Sequence, residues 1–230
     1  MARDEALMVG VGRSESPPTL RLYQWDPPTI SLGYFQRYAD YESLAPPAGT
    51  LAVVRRLTGG GAILHDLELT YSLTLPATHR LLSKGPNRLY ELAHDAVMAY
   101  LDSLGLTATR CETTDDSSPT RGPFFCFDRR HCYDVLIGPS KIAGSAQRRT
   151  RTAILQHGSI ILGSRYTQQP TASGMLPFEE ALSRMRSAFV RHLADIVGEK
   201  LEPGVWSTVE LAAAEELSAR YRDDAWTKRI

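Results

Sequence analysis

Arg55-Arg56-Leu57-Thr58-Gly59-Gly60-Gly61-Ala62-Ile63-Leu64-His65-Asp66 is the densest concentration of chemically capable residues in the chain. Three consecutive glycines permit a backbone path closed to residues that carry side chains. Their N–H groups can also approach an anion or a carbonyl oxygen closely. Arg55 and Arg56 flank this path on one side, His65 and Asp66 on the other. Alone, the glycines read as a hairpin turn with solvated charges; the Arg pair and the His-Asp pair tip the reading toward a site. The segment is not a P-loop, because no Gly-Lys-Ser/Thr ends it and the G-x-G-x-x-G spacing is absent.

Lys141-Ile142-Ala143-Gly144-Ser145-Ala146-Gln147 reads as a strand with glycine and small residues in its middle. Strand interiors avoid glycine unless a ligand or another backbone must come close. In isolation Lys141 reads as a solvated lysine on an edge strand. Gln156-His157-Gly158-Ser159 repeats the theme, with a His-Gly pair interrupting the apolar run 154–162. Cys126 stands in Phe124-Phe125-Cys126-Phe127-Asp128, and a cysteine among aromatics is ordinarily a small buried hydrophobe. Asp128, Arg129, Arg130 and His131 follow at once, so Cys126 lies where an apolar run turns charged. A nearby cation can activate a thiol at such a boundary. Cys126 and Cys132 are not in Cys-x-x-Cys spacing, and no His or carboxylate cluster has ligand spacing, so no metal site is expected.

The elements that must position these residues are visible as alternation and helical spacing. Segments 19–23, 29–34 and 69–75 alternate polar and apolar residues, and 51–54 reads as a buried strand. Their connections look too short for helical crossovers, so an antiparallel sheet is expected. Leu89, Leu92, Ala93, Ala96, Val97, Tyr100, Leu101 and Leu104 form one helical face that Gly105 ends. Segment 112–123 is polar and turn-rich and is expected to be a mobile loop. Strands are expected at 133–137, 141–147 and 153–162. The C-terminal part, about 177–230, is expected to be helical: Leu182, Met185, Phe189, Leu193 and Ile196 share a face, and a last helix begins near Ser207-Thr208. Strands first and helices later argue an α+β layer fold.

The chain has 230 residues, of which 43% are apolar and 23% charged, as in soluble globular proteins. One domain spanning 1–230 is expected. Lys+Arg and Asp+Glu both number 26, so the basic excess typical of nucleic-acid binders is missing. No run approaches the ~18–20 apolar residues of a membrane span, and the first residues lack a signal-peptide core. Three cysteines without an export signal point to a reducing cytoplasm and free thiols.

Taken together, these motifs resemble the lipoate–protein ligase and octanoyltransferase superfamily. The Arg55–Asp66 segment looks like its Arg-Arg-x-Thr/Ser-Gly-Gly-x-x-x-x-His-Asp signature. Lys141 to Ala146 looks like its Lys-x-x-Gly-Ser-Ala strand, and His157-Gly158-Ser159 like its His-Gly-Ser/Thr element. The likeness runs from Asp4-Glu5-Ala6-Leu7 through Tyr34-Phe35-Gln36 to Trp226. Cys126-Phe127-Asp128 resembles the Cys-Phe-Asp of LipM-type octanoyltransferases, which use that cysteine as an acyl-thioester nucleophile. The resemblance implies a fold like the biotin ligase and class II aminoacyl-tRNA synthetase catalytic domain, a mostly antiparallel sheet flanked by helices. Relatives carry a strand upstream of the Asp-Glu-Ala-Leu helix, so the start lies further upstream or one sheet edge is built differently. Gly59-Gly60-Gly61-Ala62 is closer to the ligase form of the loop, and Arg129-Arg130-His131 is more cationic than its counterpart in relatives.

The resemblance implies the following chemistry. Octanoyl-acyl carrier protein donates its acyl group to Cys126, with Lys141 favouring the thiolate. The chain lies in a slot roofed by the glycine loop and Gly144-Ser145-Ala146. Arg56, Thr58, Gly59, Gly60, Gly61, His65, Gly144, Ser145, Ala146, His157 and Gly158 are the substrate-binding candidates. A lysine of a lipoyl carrier domain, from the glycine cleavage H protein or a 2-oxoacid dehydrogenase E2 component, then accepts the octanoyl group. No cofactor is implied, and the protein is expected to be a cytoplasmic monomer. Two alternatives stand: an ATP- and Mg-dependent lipoate ligase that releases pyrophosphate, and a non-catalytic acyl-binding protein of the same fold.

Overall fold

The computed structural model describes residues 1–114, 122–169, 172, 174–198 and 200–230. Most of the expected loop 112–123, namely 115–121, lies outside them. The strands are β1 (Thr19–Tyr23), β2 (Thr29–Leu32), β3 (Ala52–Arg55), β4 (Ile63–His65), β5 (Glu68–Pro76), β6 (Thr109–Arg110), β7 (Val135–Ile137), β8 (Ser140–Arg149) and β9 (Ala153–Ile161). The helices are α1 (Ala2–Gly12), α2 (Tyr38–Glu42), α3 (Arg88–Ser103), α4 (Phe178–Val197), α5 (Thr208–Arg222) and α6 (Asp224–Thr227). A 3₁₀ turn, Cys126–Asp128, carries the thiol.

Six strands form an antiparallel sheet in the order β1-β5-β9-β8-β7-β6. The α+β class is as expected, but the N-terminal strands do not form one antiparallel sheet. A second sheet, β3-β2-β4, stands apart, and its β2 and β3 run parallel. Residues 33–51 hold α2 and a 3₁₀ turn, enough chain to cross over and return in the same direction. β4 follows the glycine loop and is too short to show alternation.

Helices α3 and α4 cover one face of the large sheet. Leu69, Tyr71, Leu73 and Leu75 of β5 point into this core, with Leu92 and Val97 of α3 and Met185 and Phe189 of α4. The alternating residues of β5 are polar, yet Thr70, Ser72 and Thr74 are also buried. Their alternation suggests a half-solvated strand; instead α1 and the small sheet cover the second face. Asp4 of α1 accepts from Ser72 Oγ at 2.7 Å and Glu68 accepts from Thr70, while among the described residues Thr74 Oγ1 is buried without a partner.

Arg55 joins the layers. It is fully buried and donates to the carbonyls of Gly33 at 2.9 Å, Gln36 at 2.6 Å and Thr227 at 2.7 and 2.9 Å. Its own carbonyl accepts from Trp226 Nε1 at 2.9 Å. Burial, reinforced by nearby Arg229, lowers the guanidinium to about 10, still cationic at neutral pH. Arg55→Met orphans several buried carbonyls, and we expect a loss of about 3 kcal/mol or more. A urea titration giving an unchanged midpoint would contradict this role.

Candidate active site

The glycine loop is built around Arg56. Its Nη2 donates to Gly59 O at 2.9 Å and Gly61 O at 2.6 Å, Nη1 to Ser31 O at 2.7 Å, and Nε to Thr58 Oγ1 at 3.2 Å. These bonds pull the loop over its own side chain. Gly60 has φ +91°, a conformation that disfavours side chains. A Cβ on Gly33 would lie 1.9 Å from Gly60 O, and one on Gly61 would lie 2.9 Å from Cys126 N. Gly61 therefore admits the cysteine segment: Ala62 N donates to Phe124 O at 2.9 Å and Cys126 N to Ala62 O at 2.7 Å.

Lys141, fifteen residues away in sequence, reaches the same point from β8. Its Nζ lies 3.7 Å from Cys126 Sγ and 3.1 Å from Cys126 O. It also forms a buried ion pair with Asp134 Oδ2 at 2.7 Å. Burial opposes the charge of Lys141, but the Cys126 thiolate and the Asp134 carboxylate outweigh it and raise the lysine above its ordinary value. Gly144 lies against this pair, where a Cβ would meet Lys141 Cε at 2.6 Å and Asp134 Oδ1 at 3.2 Å. The expectation was that small residues here leave room for an acyl chain. For Gly144 the room is taken first by the lysine.

A partly open pocket lies beside Cys126. Of the expected residues, Arg56, Gly59 and Gly60 line it from the loop, and Gly144, Ser145 and Ala146 from β8. His157 and Gly158 line it from β9, and His65 from β4. Thr58, Gly61 and Lys141 stand just behind this lining, holding residues that form it. Among the described residues no cluster of His, Cys, Asp or Glu could hold a metal ion. Also among them, no helix is long and apolar enough to cross a membrane.

Three buried polar networks support the wall. Asp4 accepts from Arg21, Tyr23 and Ser72, and its Oδ2 lies 3.8 Å from His157 Nδ1. Burial works against the Asp4 charge, but His157 and Arg21 outweigh it and hold the carboxyl well below the usual range. Burial lowers His157, which is thus neutral at pH 7; its Nε2 lies 2.6 Å from Thr58 Oγ1. His65 joins Ser31 Oγ at 2.7 Å and Glu68 Oε1 at 2.6 Å, and stacks on Trp25 at 4.2 Å. Ser145 Oγ meets Tyr71 Oη at 2.5 Å and His94 Nε2 at 2.6 Å. Burial drives His94 down to about 4. Neutral, it donates Nδ1–H to Tyr133 O and accepts from Ser145.

Asp134, Asp4, His94 and Glu68 are absent from the sequence-based candidates. Asp4 lay inside the Asp-Glu-Ala-Leu likeness; the others belong to none of the motifs, although Glu68 and Asp134 find partners close by in sequence and only His94 depends on distant ones.

The chain matches the family model described as the lipoyl protein ligase A/B catalytic domain over residues 1–201. Octanoyltransferase LipM of Kyrpidia tusciae is 35% identical over 261 residues, covering 100% of this chain and 93% of that protein. Octanoyltransferase LipM of Moorella thermoacetica is 37% identical over 209 residues, covering 89% of this chain and 76% of that protein. Among solved structures, a lipoate protein ligase from Thermoplasma acidophilum superimposes with a TM-score of 0.74 at 22% identity, covering 100% and 94% of the two chains. A lipoate-protein ligase A bound with ATP gives 0.72 at 22% identity, covering 98% and 91%. These structures share the fold.

Two outcomes follow from the geometry. Gly144→Ala should expel Lys141 from the thiol and slow iodoacetamide alkylation of Cys126 at neutral pH about tenfold. That is ~1.4 kcal/mol, part of the ~4 kcal/mol between unit charges about 4 Å apart at an effective dielectric near 20. An unchanged rate would show that the lysine moves aside freely. The second concerns His94, whose native value lies below that of the unfolded chain. Its contribution is complete above about pH 6.5 and is lost as pH falls toward 4, by about 2 kcal/mol between pH 7 and pH 5. Denaturation at both pH values should show the parent losing that much more stability than His94→Gln.

Proposed function

The chain belongs to the lipoyl protein ligase A/B catalytic-domain family and is an octanoyltransferase; we propose that it works through a thioester on Cys126. The observation that supports this most directly is the Lys141 ammonium 3.7 Å from Cys126 Sγ at the mouth of the cavity. In this reading the donor is octanoyl-acyl carrier protein and the acceptor a lysine of a lipoyl carrier domain.

The Cys126 thiolate attacks the donor thioester carbonyl. The new S–C bond forms, the carrier S–C bond breaks, and the carrier leaves as its thiolate. Lys141 stabilises the attacking thiolate by charge. In this reading backbone N–H groups of the glycine loop receive the developing oxyanion. Loss of one such donor ordinarily costs ~2.7–4 kcal/mol. The octanoyl chain then occupies the cavity between the glycine loop and β8–β9. A neutral lysine amine of the acceptor attacks the acyl-enzyme; an amide N–C bond forms, the Cys126 S–C bond breaks, and one proton passes to solvent. This is covalent ping-pong catalysis. Thioester exchange is near neutral in free energy and thioester to amide is downhill, so ATP has no step to drive.

Arg56 has a different part from the one its motif suggests. Its donors are taken by the carbonyls of Ser31, Gly59 and Gly61 and by the Thr58 and Ser31 hydroxyls, so it shapes the substrate site rather than offering a free fork to an anion.

Cys126→Ala should abolish transfer, whereas Cys111→Ala and Cys132→Ala should keep most of it. The check is intact-protein mass after incubation with octanoyl-acyl carrier protein, with and without ATP. An octanoyl adduct on the parent, absent in Cys126→Ala and indifferent to ATP, is expected. Product formed only from free octanoate or lipoate with ATP would replace this reading by the ligase one.

A further inference from the structure

Lys141 Nζ is enclosed by three oxygens that only accept and by Cys126 Sγ. Asp134 Oδ2 lies at 2.7 Å, Cys126 O at 3.1 Å, Arg129 O at 3.4 Å and Cys126 Sγ at 3.7 Å. An ammonium has three N–H donors, one for each oxygen. A neutral amine has two, so it would leave one of the three oxygens unserved. Asp134 is 3% exposed, and its Oδ2 also accepts from His131 N at 2.8 Å, so the carboxylate is fixed before it meets the lysine. Gly144 is an independent sign, since the strand has no Cβ where these two side chains pass.

We propose that Asp134 is a positioning residue that keeps Lys141 a permanent ammonium beside Cys126, so that Lys141 acts as a fixed charge and carries no proton in either half-reaction. This rests on Cys126 as nucleophile. Through thioester exchange Lys141 neither gains nor loses a proton. In the second half-reaction the proton of the acceptor amine goes to solvent, and Cys126 is restored as a thiolate against the same cation. Burial alone would favour the neutral amine; the two anions reverse that preference. Other titratable groups facing Cys126, Lys141 and Asp134 are Arg56 after β3, Asp128, Arg129 and Arg130 at and after the 3₁₀ turn, His131 before β7, and Tyr90 and His94 from α3.

The test is the iodoacetamide alkylation rate of Cys126 against pH in the parent, Asp134→Asn, Lys141→Met and the double variant. Each single change should slow alkylation at neutral pH about tenfold and move the profile to higher pH. The double variant should be no slower than Lys141→Met, because Asp134 acts only through the lysine. Multiplying losses, or an Asp134→Asn rate equal to the parent, would overturn the proposal. Should Asp134→Asn fail to fold, the unmutated protein labelled with ¹⁵N-lysine decides. The Nζ signal missing from Lys141→Met should stay at the ammonium position from about pH 7 to about pH 9. An amine signal in that range would overturn the proposal. Neither measurement needs an acyl donor, so both are separate from the failure of the transferase reading, which is normal transfer by Cys126→Ala.

Discussion

Arg55 and Arg56 are both fully buried, and among the described residues neither meets a carboxylate. A buried charge without compensation is severely unfavourable, so oxygen atoms must be brought to them. In regular strands the carbonyls are occupied by the ladder; irregular backbone must supply the rest. As neighbours at the end of β3, the two side chains point to opposite sides. Arg55 gathers residues 33–36 and the C-terminal Thr227; Arg56 gathers Gly59 and Gly61. The glycines follow from that demand. Gly60 takes a left-handed φ, Gly33 lies against Gly60 O, and Gly61 leaves the gap for Cys126, so a side chain is excluded at these three points.

The same demand shapes the electrostatics. The chain is neutral overall, with 26 residues of each sign, yet Cys126 faces a concentration of fixed cations. Lys141 is next to Sγ, and Arg56, lowered by burial to about 10, is pushed back up by the cysteine's negative charge. These charges are locked by backbone carbonyls and by Asp134, so they need not reorganise when a thiolate forms. A preorganised field of this kind is where catalytic stabilisation chiefly arises.

Much of this was legible in the sequence, for identifiable reasons. The strand of Lys141 and the helix of Leu89 to Leu104 obey simple periodicities, and the glycine loop and Cys126 have local signatures. The parallel pairing of β2 and β3 was hidden, because the crossover between them carries only the short helix α2 and no long amphipathic pattern. β5 looked half-solvated because its outward threonines and serine are polar; only the folded chain shows Asp4 and Glu68 waiting beneath them. Asp134, His94 and Glu68 resemble ordinary polar residues; Glu68 and Asp134 bond near neighbours that only burial makes significant, and His94 depends on the distant Tyr133 and Ser145. Gly144 is the subtler case: the sequence marks a close approach there, but what approaches is a lysine of its own strand.

The exposed lining of the cavity is mainly apolar, as an octanoyl chain requires, although several of the residues that form it carry hydroxyls. The hydroxyls there are already engaged. Ser145 lies between Tyr71 and His94, Ser31 meets His65, and Thr70 accepts from Trp25 Nε1 at 3.0 Å while donating to Glu68. An entering chain therefore breaks none of these bonds, and gains ~0.8 kcal/mol for each buried methylene without leaving a buried donor unmade. The lining crosses the sheet from Ala146 on β8, through His157 on β9, to Thr70 on β5. Two interstrand spacings make that width about 10 Å. His65, clamped between Ser31, Glu68 and the face of Trp25, lines the cavity as well. The polar part of the lining is thus a network bonded within the protein, which an acyl chain can cover without competing for its hydrogen bonds.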